Sequence, residues 1–400
     1  RQMCIRDRSS IVRELINELC YSSNDTEIAF RRKARHAGHL QKLPPIEGLQ
    51  PSLKLNPDAS YLITGGLGSL GLKVGEYLAT HGARHLVLTG RSGVSTKYQR
   101  TALKAIEDIG TSVEVVTTDI SDAAGVKKLL ANLPRLRGII HAAGVLADGM
   151  LIQQSSESYE KVAGPKVRGA WHLHTQTQDR PLDFFVLFSS VASIIGSPGQ
   201  SNYAASNAFM DGLAHFRRRK GLAATAVNWG PWANVGMAAS DLVMQRLLKD
   251  GWQPMNANEG CSYMGQLLTI HDLPQAAVLP VDWMQFVANT PGANEWSTLK
   301  HCIPEEHASP PVDDSAELAA RKVKDAHPDQ RIDLIVFYLL KRIAQTLRVP
   351  ATNLDEFAKP TDLGIDSLTA VEIQIWVKGD LQVEIDVEQL FTTPNIRDLA

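Results

Sequence analysis

The sequence predicts an α/β fold, a doubly wound parallel sheet, followed by a small all-α helical bundle. Two observations carry this. Between Tyr61 and about Phe286, short β-branched runs alternate with amphipathic stretches, the pattern of a sheet covered by helices on both faces. After a stretch without sustained apolar period, Ile332, Ile335, Val336, Leu339, Ile343 and Leu347 mark one strong helix, and Leu368 to Val377 a second.

Within the α/β part the strands read Tyr61 to Thr64, His85 to Thr89, Val113 to Thr117, Gly138 to His141, Phe184 to Phe188, Ala224 to Asn228 and Ala276 to Leu279. Between them Leu70, Val74 and Leu78 recur at helical spacing, as do Leu103 and Ile106, and Val126, Leu129 and Leu130. Residues 288–327 are rich in Pro, Ala, Asp and Glu and read as a linker. Upstream, Ile11 to Leu19 reads as a helix and Glu27 to Phe30 as a strand, too little to bury a core of their own.

The 400 residues fit two or three domains at roughly 150 residues each. With 41 basic against 43 acidic side chains, nothing suggests a nucleic-acid or anionic-membrane partner, which would favour a strongly basic face. The longest apolar runs, Phe184 to Phe188 and Leu334 to Leu340, fall far short of the roughly 18 residues that span a bilayer, so a soluble protein is expected. Cys4, Cys20, Cys261 and Cys302 form no CxxC pair, which argues against a zinc ribbon, a redox motif or a disulfide framework, and no metal is expected. A reducing cytoplasm is the default location. Arg1 to Ser10 lacks the apolar core of a signal peptide. Gln2 to Arg8 instead resembles the in-frame translation of a transposon-end sequencing adaptor, so 1–8 are expected to be an artefact. Both termini read as cuts in a longer polypeptide.

The first strand runs into Thr64-Gly65-Gly66-Leu67-Gly68-Ser69-Leu70-Gly71 and then a helix. Glycines there let the backbone approach a pyrophosphate, and the helix N-terminus offers free N–H groups. At the end of the second strand, where an acidic residue would accept the ribose 2′-hydroxyl of NAD, stand Gly90, Arg91 and Ser92. A guanidinium can clamp a 2′-phosphate, which favours NADPH. Asp119, past the third strand, could take the adenine amino group or cap a helix.

Reducing a ketone takes a hydride and a proton for the developing alkoxide, hence a poised acid and donors aimed at the oxygen. Tyr203, Ser190 and Lys166 can supply these. The fifth strand ends in Ser189-Ser190, at the sheet edge where ligands bind, and Tyr203 follows thirteen residues later near the start of a helix through Arg219. A tyrosine of ordinary pKa, about 10, needs a nearby cation to favour its phenolate, and Lys166 is the candidate.

These residues resemble the short-chain dehydrogenase/reductases, and more closely the ketoreductase domains of modular type I polyketide synthases. In the ordinary superfamily a lysine follows the tyrosine by four residues. Here Tyr203-Ala204-Ala205-Ser206-Asn207 places asparagine there, and Gly164-Pro165-Lys166-Val167-Arg168-Gly169 supplies the lysine, the exchange that polyketide ketoreductases make. His141-Ala142-Ala143-Gly144, Phe188-Ser189-Ser190 and Asn228-Trp229-Gly230-Pro231-Trp232 match as well. The resemblance implies a Rossmann-type fold, Tyr203 as proton donor, Ser190 as partner of the carbonyl, Lys166 against the nicotinamide ribose and the tyrosine, and Asn207 supporting the network. It extends the NADPH contacts to Ile120, Ala142, Ala143, Gly144 and Pro231.

Family members that form the B-type, usually D-configured, alcohol carry Leu-Asp-Asp after the fourth-strand glycine, whereas the run here is Leu146-Ala147-Asp148. The A-type tryptophan position holds Ile195, while Pro198 and Asn202 fit the B-type pattern, so a B-type product with Asp148 in stereocontrol is expected. A solvated loop acid is the other reading of Asp148. Residues 237–260 could form a lid, although Leu242, Val243, Met244, Leu247 and Trp252 are equally consistent with packing alone.

Asp362-Leu363-Gly364-Ile365-Asp366-Ser367-Leu368 precedes the last strong helix, with Asp366 as N-cap and Ser367 in the exposed first turn. With Phe391 and Pro394 downstream, this segment resembles an acyl carrier protein whose serine bears 4′-phosphopantetheine. Thr26 to Arg31 resembles the end of the structural subdomain that precedes such ketoreductases. The expected layout is thus a subdomain remnant at 9–57, the catalytic domain at 58–287, a linker at 288–327 and the carrier at 328–400.

The resemblance implies NADPH-dependent reduction of a carrier-tethered 3-ketoacyl thioester, with a phosphopantetheinyl transferase and the synthase's ketosynthase, acyltransferase and dehydratase domains as partners. A carrier and scaffold with a silent reductase, and part of a multifunctional fatty-acid synthase, are the alternatives.

Overall fold

In the computed structural model the described residues are 16, 18, 25, 28–31, 34–43, 53–233, 241–270, 272–290, 293–303, 322–347, 354–363, 365, 367–381, 383 and 385–400. The chain divides into two compact units, residues 47–282 and residues 1–46 with 283–400.

The first unit is built on β3 (Ser60–Thr64), β4 (His85–Gly90), β5 (Ser112–Thr117), β6 (Leu136–His141), β7 (Phe184–Ser190), β8 (Thr225–Trp229) and β9 (Gln275–Val278). All pair in parallel in the order β5-β4-β3-β6-β7-β8-β9. The strand bounds differ from the expected ones by two residues or fewer. β3 reads as an unbroken apolar run because both sheet faces are covered. Tyr61 and Ile63 join one buried layer, with Leu72, Val74 and Leu78 of α1 (Ser69–Thr80) and Ile106 of α2 (Lys97–Asp108). Leu62 joins the other, with Leu129 of α3 (Ala123–Ala131), Leu173 of α5 (Gly169–Thr175) and Met210 of α7 (Ser201–Arg219). Fully burying one such side chain is worth about 1.5–3 kcal/mol.

Gly138 shows how closely the strands meet. A Cβ there would lie 2.2 Å from the Phe184 ring, which stacks on Tyr61 at 5.7 Å between centroids. From β3 the chain winds outward through β4 and β5, then crosses back to β6 and on to β9. The crevice beyond the C-terminal ends of β3 and β6 lies at this reversal, the place where such sheets bind ligands. α4 (Ser156–Ala163), α6 (Ala192–Ile195), α8 (Asp241–Lys249) and α9 (Ala257–Thr269) complete the unit.

In the second unit β1 (Ile28–Arg31) and β2 (Ala34–Ala37) form an antiparallel pair, Ile28 opposite Ala37. Part of the expected linker is structured. α10 (Trp283–Asn289) is followed by single 3₁₀ turns at Ala293–Glu295 and Ser297–Leu299, and Leu40 N donates to Thr298 O over 2.8 Å. Residues 304–321 lie outside the described residues. α11 (Pro328–Leu347), α12 (Ser367–Trp376), α13 (Val387–Thr392) and α14 (Ile396–Leu399) enclose Leu339, Ile343, Ile365, Ile373, Leu390 and Ile396. Arg397 ties this bundle together through Asp333 and Glu356, at 2.6 and 2.8 Å. Among the described residues no helix is long and apolar enough to cross a membrane.

Candidate functional site

The loop after β3 closes on itself so tightly that side chains are excluded. Gly65 has φ +70°, and a Cβ on it would lie 2.8 Å from Ala142 O and the Ala143 backbone. A Cβ on Gly71 would lie 2.4 Å from Gly65 O. Gly66 N donates to Thr89 O and Ala142 N to Thr64 O, both over 3.0 Å, which ties the loop to β4 and β6. At Gly68, which leads into α1 with an extended backbone and no capping side chain, a Cβ would meet only Gly65 O at 3.3 Å. The result is a backbone cradle at a helix N-terminus, open on its outer side and suited to a phosphate group.

Arg91 and Ser92 are exposed just past β4. Asp119, past β5, accepts from the Ser121 hydroxyl and N–H over 2.6 and 2.8 Å. Those bonds, and then the fields of Arg91 and Arg168, hold its carboxyl below the usual range. The cap of α3 is Asp122, which removes the capping role considered for Asp119. Ile120 is buried beneath, against Gly169. Pro231 follows β8, its carbonyl accepting from Met255 N over 3.0 Å.

Lys166 lies in a π-helical turn, Gly164–Arg168, between α4 and α5. Such wide turns interrupt the α ladder and recur at functional sites. Its ammonium is buried, donating to Asn207 Oδ1 over 2.9 Å and to Phe188 O over 3.1 Å, and it lies 5.1 Å from the centroid of the Tyr203 ring. A Cβ on Gly144 would come within 2.9 Å of Lys166 Cε, so a side chain there would displace the lysine stem from its present position. Asn207, one turn beyond Tyr203 on α7, donates to Tyr203 O over 2.8 Å. Ser190 ends β7, its Oγ accepting from Ala192 N over 3.2 Å. Lys166, Ser190, Tyr203 and Asn207 thus come together at the C-terminal edge of the sheet.

The electrostatics differ from the expectation in one respect. Burial dominates the Tyr203 hydroxyl and pushes its pKa up, opposed by hydrogen bonding to Ser190 and Asn207. The Lys166 charge goes to Asn207 and a carbonyl, and burial pushes Lys166 itself down to about 7. The phenolate is therefore not favoured here, because the tyrosine hydroxyl is itself desolvated.

Behind Ser190 lie Asn228, of the matched Asn228–Trp232 segment, and two polar groups outside the motifs, Ser193 and Asp211. Asp211 and Asn228 are buried and Ser193 half-buried. Ser193 Oγ lies 2.7 Å from both Ser190 O and Asp211 Oδ2, and Asn228 Nδ2 lies 3.0 Å from Asp211 Oδ2 and 3.2 Å from Ser190 O. The available signal was helical period: Tyr203, Asn207 and Asp211 are four residues apart on one face. His141, also buried, shares a 2.6 Å hydrogen bond with Thr64 Oγ1, and burial lowers its pKa to about 3, leaving it neutral.

Comparison with known proteins decides the family. Residues 59–234 match the KR domain, and residues 338–400 match the phosphopantetheine attachment site. The fold is similar to an A1-type ketoreductase (35% identity, TM-score 0.64, covering 72% of this chain and 61% of that one). It is similar also to a ketoreductase domain from the bacillaene assembly line (32% identity, TM-score 0.60, 69% and 67%). The chain belongs to the polyketide synthase ketoreductases. Its sequence is 32% identical to a phenolphthiocerol/phthiocerol polyketide synthase of Mycobacterium tuberculosis, over 97% of this chain and 18% of that one. It is 35% identical to polyketide synthase GfsB of Streptomyces halstedii, over 85% and 6%. The chain spans less than a fifth of the length of these curated relatives.

In this ketoreductase the loop after β6 is fastened to the start of α7. Gly149 N donates to Gly199 O over 2.8 Å, Asn202 Nδ2 to Ala147 O over 2.7 Å, and Gln200 Nε2 to Asp148 Oδ2 over 2.9 Å. Asp148 is thus exposed yet held, rather than free in solvent. Ile195, expected where A-type members carry tryptophan, is half-buried at the end of α6. Of the segment considered as a lid, Trp252 is buried, with its backbone N–H donating to Leu247 O over 2.9 Å, while the Leu242 and Val243 side chains lie outside the described residues.

In the carrier domain Ser367 is the first residue of α12. Asp366, the expected cap, and the Ser367 side chain lie outside the described residues. Phe391 packs against the carrier core, and Pro394 is exposed before α14.

Proposed function

We propose that this chain performs NADPH-dependent reduction of a carrier-bound 3-ketoacyl thioester to the 3-hydroxyacyl thioester, with Ser367 bearing the 4′-phosphopantetheine arm. The observation that carries it is the buried Lys166–Asn207–Tyr203 chain beside Ser190, at the sheet edge next to the glycine cradle. The cradle fits a dinucleotide: Gly65 and Gly71 let the loop fold tightly on its own backbone, the loop stays open at Gly68, and exposed Arg91 just past β4 is available to a 2′-phosphate. The group, when bound, supplies the hydride. The glycine loop and Arg91 would hold its phosphates, and Gly144 and Lys166 would lie toward its nicotinamide end. Ser190 donates to the substrate carbonyl and positions it, and Tyr203, kept protonated by its burial, gives its phenolic proton to the developing alkoxide. Lys166 stabilises the negative charge then left on the tyrosine.

The proposed product is the B-type, D-configured alcohol, supported by Ile195 and by Asp148 held over the start of α7. Solved relatives at 35% identity are A1-type and A-type, so product configuration is the sharpest question. A phosphopantetheinyl transferase and the remaining synthase domains are the proposed partners, and the cytoplasm the proposed location.

The test is NADPH oxidation with a 3-ketoacyl thioester surrogate, with NADH and Tyr203→Phe as controls and chiral analysis of the product. Tyrosine-dependent turnover preferring NADPH supports the reductase. A folded, cofactor-binding chain without turnover would move the silent-reductase reading ahead, and the L alcohol would overturn the B-type assignment.

A further inference from the structure

The loop that leaves β6 is held by polar bonds rather than by burial. None of residues 142–154 is fully buried, and the single 3₁₀ turn Leu151–Gln153 leaves Leu151 and Ile152 70% and 83% exposed. Yet Leu146 and Ala147 of this loop pack against the buried cluster of Val162, Ala192 and Tyr203, so the loop walls the space beside the tyrosine. With so little apolar anchoring, the position of that wall is set by hydrogen bonds. Gln154 is their hub. Its Nε2 donates to Ala147 O over 3.1 Å and to Gly149 O over 3.0 Å, while its Oε1 accepts from Asn202 Nδ2 over 3.0 Å and lies 2.5 Å from the Ser158 hydroxyl. Two N–H groups meet two carbonyls, and the oxygen meets an amide and a hydroxyl. The whole hydrogen-bonding capacity of the side chain is used, in the one orientation that its partners allow. Asn202 carries the grip onward. Buried at the start of α7, it donates to Ala147 O over 2.7 Å, and its Oδ1 accepts from Tyr203 N over 2.7 Å. Hydrogen bonds thus run from the loop carbonyls through Gln154 and Asn202 to the backbone of Tyr203.

We propose that Gln154 is a positioning residue of the reductase: its side-chain amide clasps the loop after β6 to the first turn of α7, and so sets the wall that decides which face of the ketone receives the hydride. This rests on the catalytic reading of Tyr203 given above, and it holds whichever alcohol the chain forms. The two faces of a ketone differ only in where its two substituents point. Once Tyr203 fixes the oxygen, the wall beside the tyrosine decides between them, and a displacement of about 1 Å is enough to weaken that choice. Glutamine suits the task where glutamate does not. A carboxylate oxygen in place of Nε2 would face the carbonyl oxygens of Ala147 and Gly149 with no proton between them.

The experiment compares the full-length chain with Gln154→Glu and Gln154→Met, using NADPH, the 3-ketoacyl thioester surrogate and chiral chromatography of the product. Expected is a rise of about tenfold in the minor alcohol relative to the major one, the worth of one or two lost hydrogen bonds, with NADPH Kd within about twofold of the parent. A purely structural loss would depress both alcohols together and leave their ratio as it was. The Gly149 amide, bonded to Gly199 O over 2.8 Å, reports on the loop itself. Its hydrogen exchange, read by mass spectrometry, is expected to quicken about tenfold in both variants. Gln154→Met keeps the length of the side chain without its hydrogen-bonding groups, and decides the matter should Gln154→Glu not fold. An unchanged alcohol ratio overturns the proposal, as does unchanged exchange at Gly149. Absence of Tyr203-dependent NADPH oxidation in the unmodified chain defeats the reductase reading itself, while the exchange measurement still decides whether Gln154 clasps the loop.

Discussion

Asn207 accepts the ammonium of Lys166 over 2.9 Å across 41 residues of chain, and with its own amide group holds the carbonyl of Tyr203. The position four residues after the tyrosine thus carries no charge; it anchors a charge brought in by the π turn. Asn207→Ala leaves a buried ammonium short of a partner, at about 1–3 kcal/mol. Expected is a fall in kcat by a factor of roughly 5–150, with cofactor Kd nearly unchanged, as steady-state kinetics and fluorescence titration would read. A larger loss of cofactor affinity than of kcat would contradict the anchoring role.

Tyr203→Phe removes the proposed proton donor while keeping the ring that lies over Lys166. The expected loss in kcat is about 10²–10⁴-fold, the range of a positioned acid, with thermal stability within about 1 kcal/mol of the parent. Retention of more than a tenth of the activity would assign the proton to another group.

The Lys166 pKa ties stability to pH. In the unfolded chain the lysine keeps its proton to about 10.4, and in the folded one only to about 7. Between these values the unfolded state binds more protons, so this group makes stability rise with pH, and below about 7 its burial penalty is fully present. Lys166→Met removes the penalty. The variant should exceed the parent in Tm by most at pH 7 and below, and the gap should close as pH approaches 10. A gap constant across that window would show that Lys166 titrates normally. Turnover, which needs the charged lysine, is expected to decline as pH rises through about 7.

Gly71→Ala places a Cβ 2.4 Å from Gly65 O, a backbone atom that cannot swing away. The cradle must open. An overpacking cost of about 1–3 kcal/mol and at least a tenfold weaker NADPH affinity are expected. Loading of the carrier, measured by mass spectrometry after treatment with a phosphopantetheinyl transferase, should be untouched.

Ser367→Ala is expected to abolish that mass gain completely, while leaving surrogate reduction by the first unit within twofold. Phosphopantetheine found on the alanine variant would place the attachment at another hydroxyl.

The strands were legible because a parallel sheet buried on both faces writes itself as short apolar runs, as in Tyr61 to Ile63 and Phe184 to Phe188. β2 was not, since Ala-Arg-His-Ala has no apolar alternation and forms only through pairing with β1. The turns at 293–299 were hidden in a composition that reads as linker, although Ala293 and Leu299 are fully buried. The glycine loop could be read because its demand is local: positive φ and close backbone approach allow only glycine.

By itself the sequence determined the alternation of strand and helix and the glycine cradle, because period and spacing act over a few residues and are written along the chain, while its family resemblance singled out Lys166, Ser190, Tyr203, Asn207 and Ser367 as candidates. Only the tertiary structure decided what these groups experience. The order of the sheet brings the ends of β6 and β7 beside α7, so that Lys166 meets Asn207, His141 meets Thr64 and Asp211 meets Asn228. The removal of water from that junction sets their charges, lowering Lys166 and raising Tyr203 and Asp211. Desolvation belongs to the packed interior as a whole, and no residue carries it in its own neighbourhood of sequence.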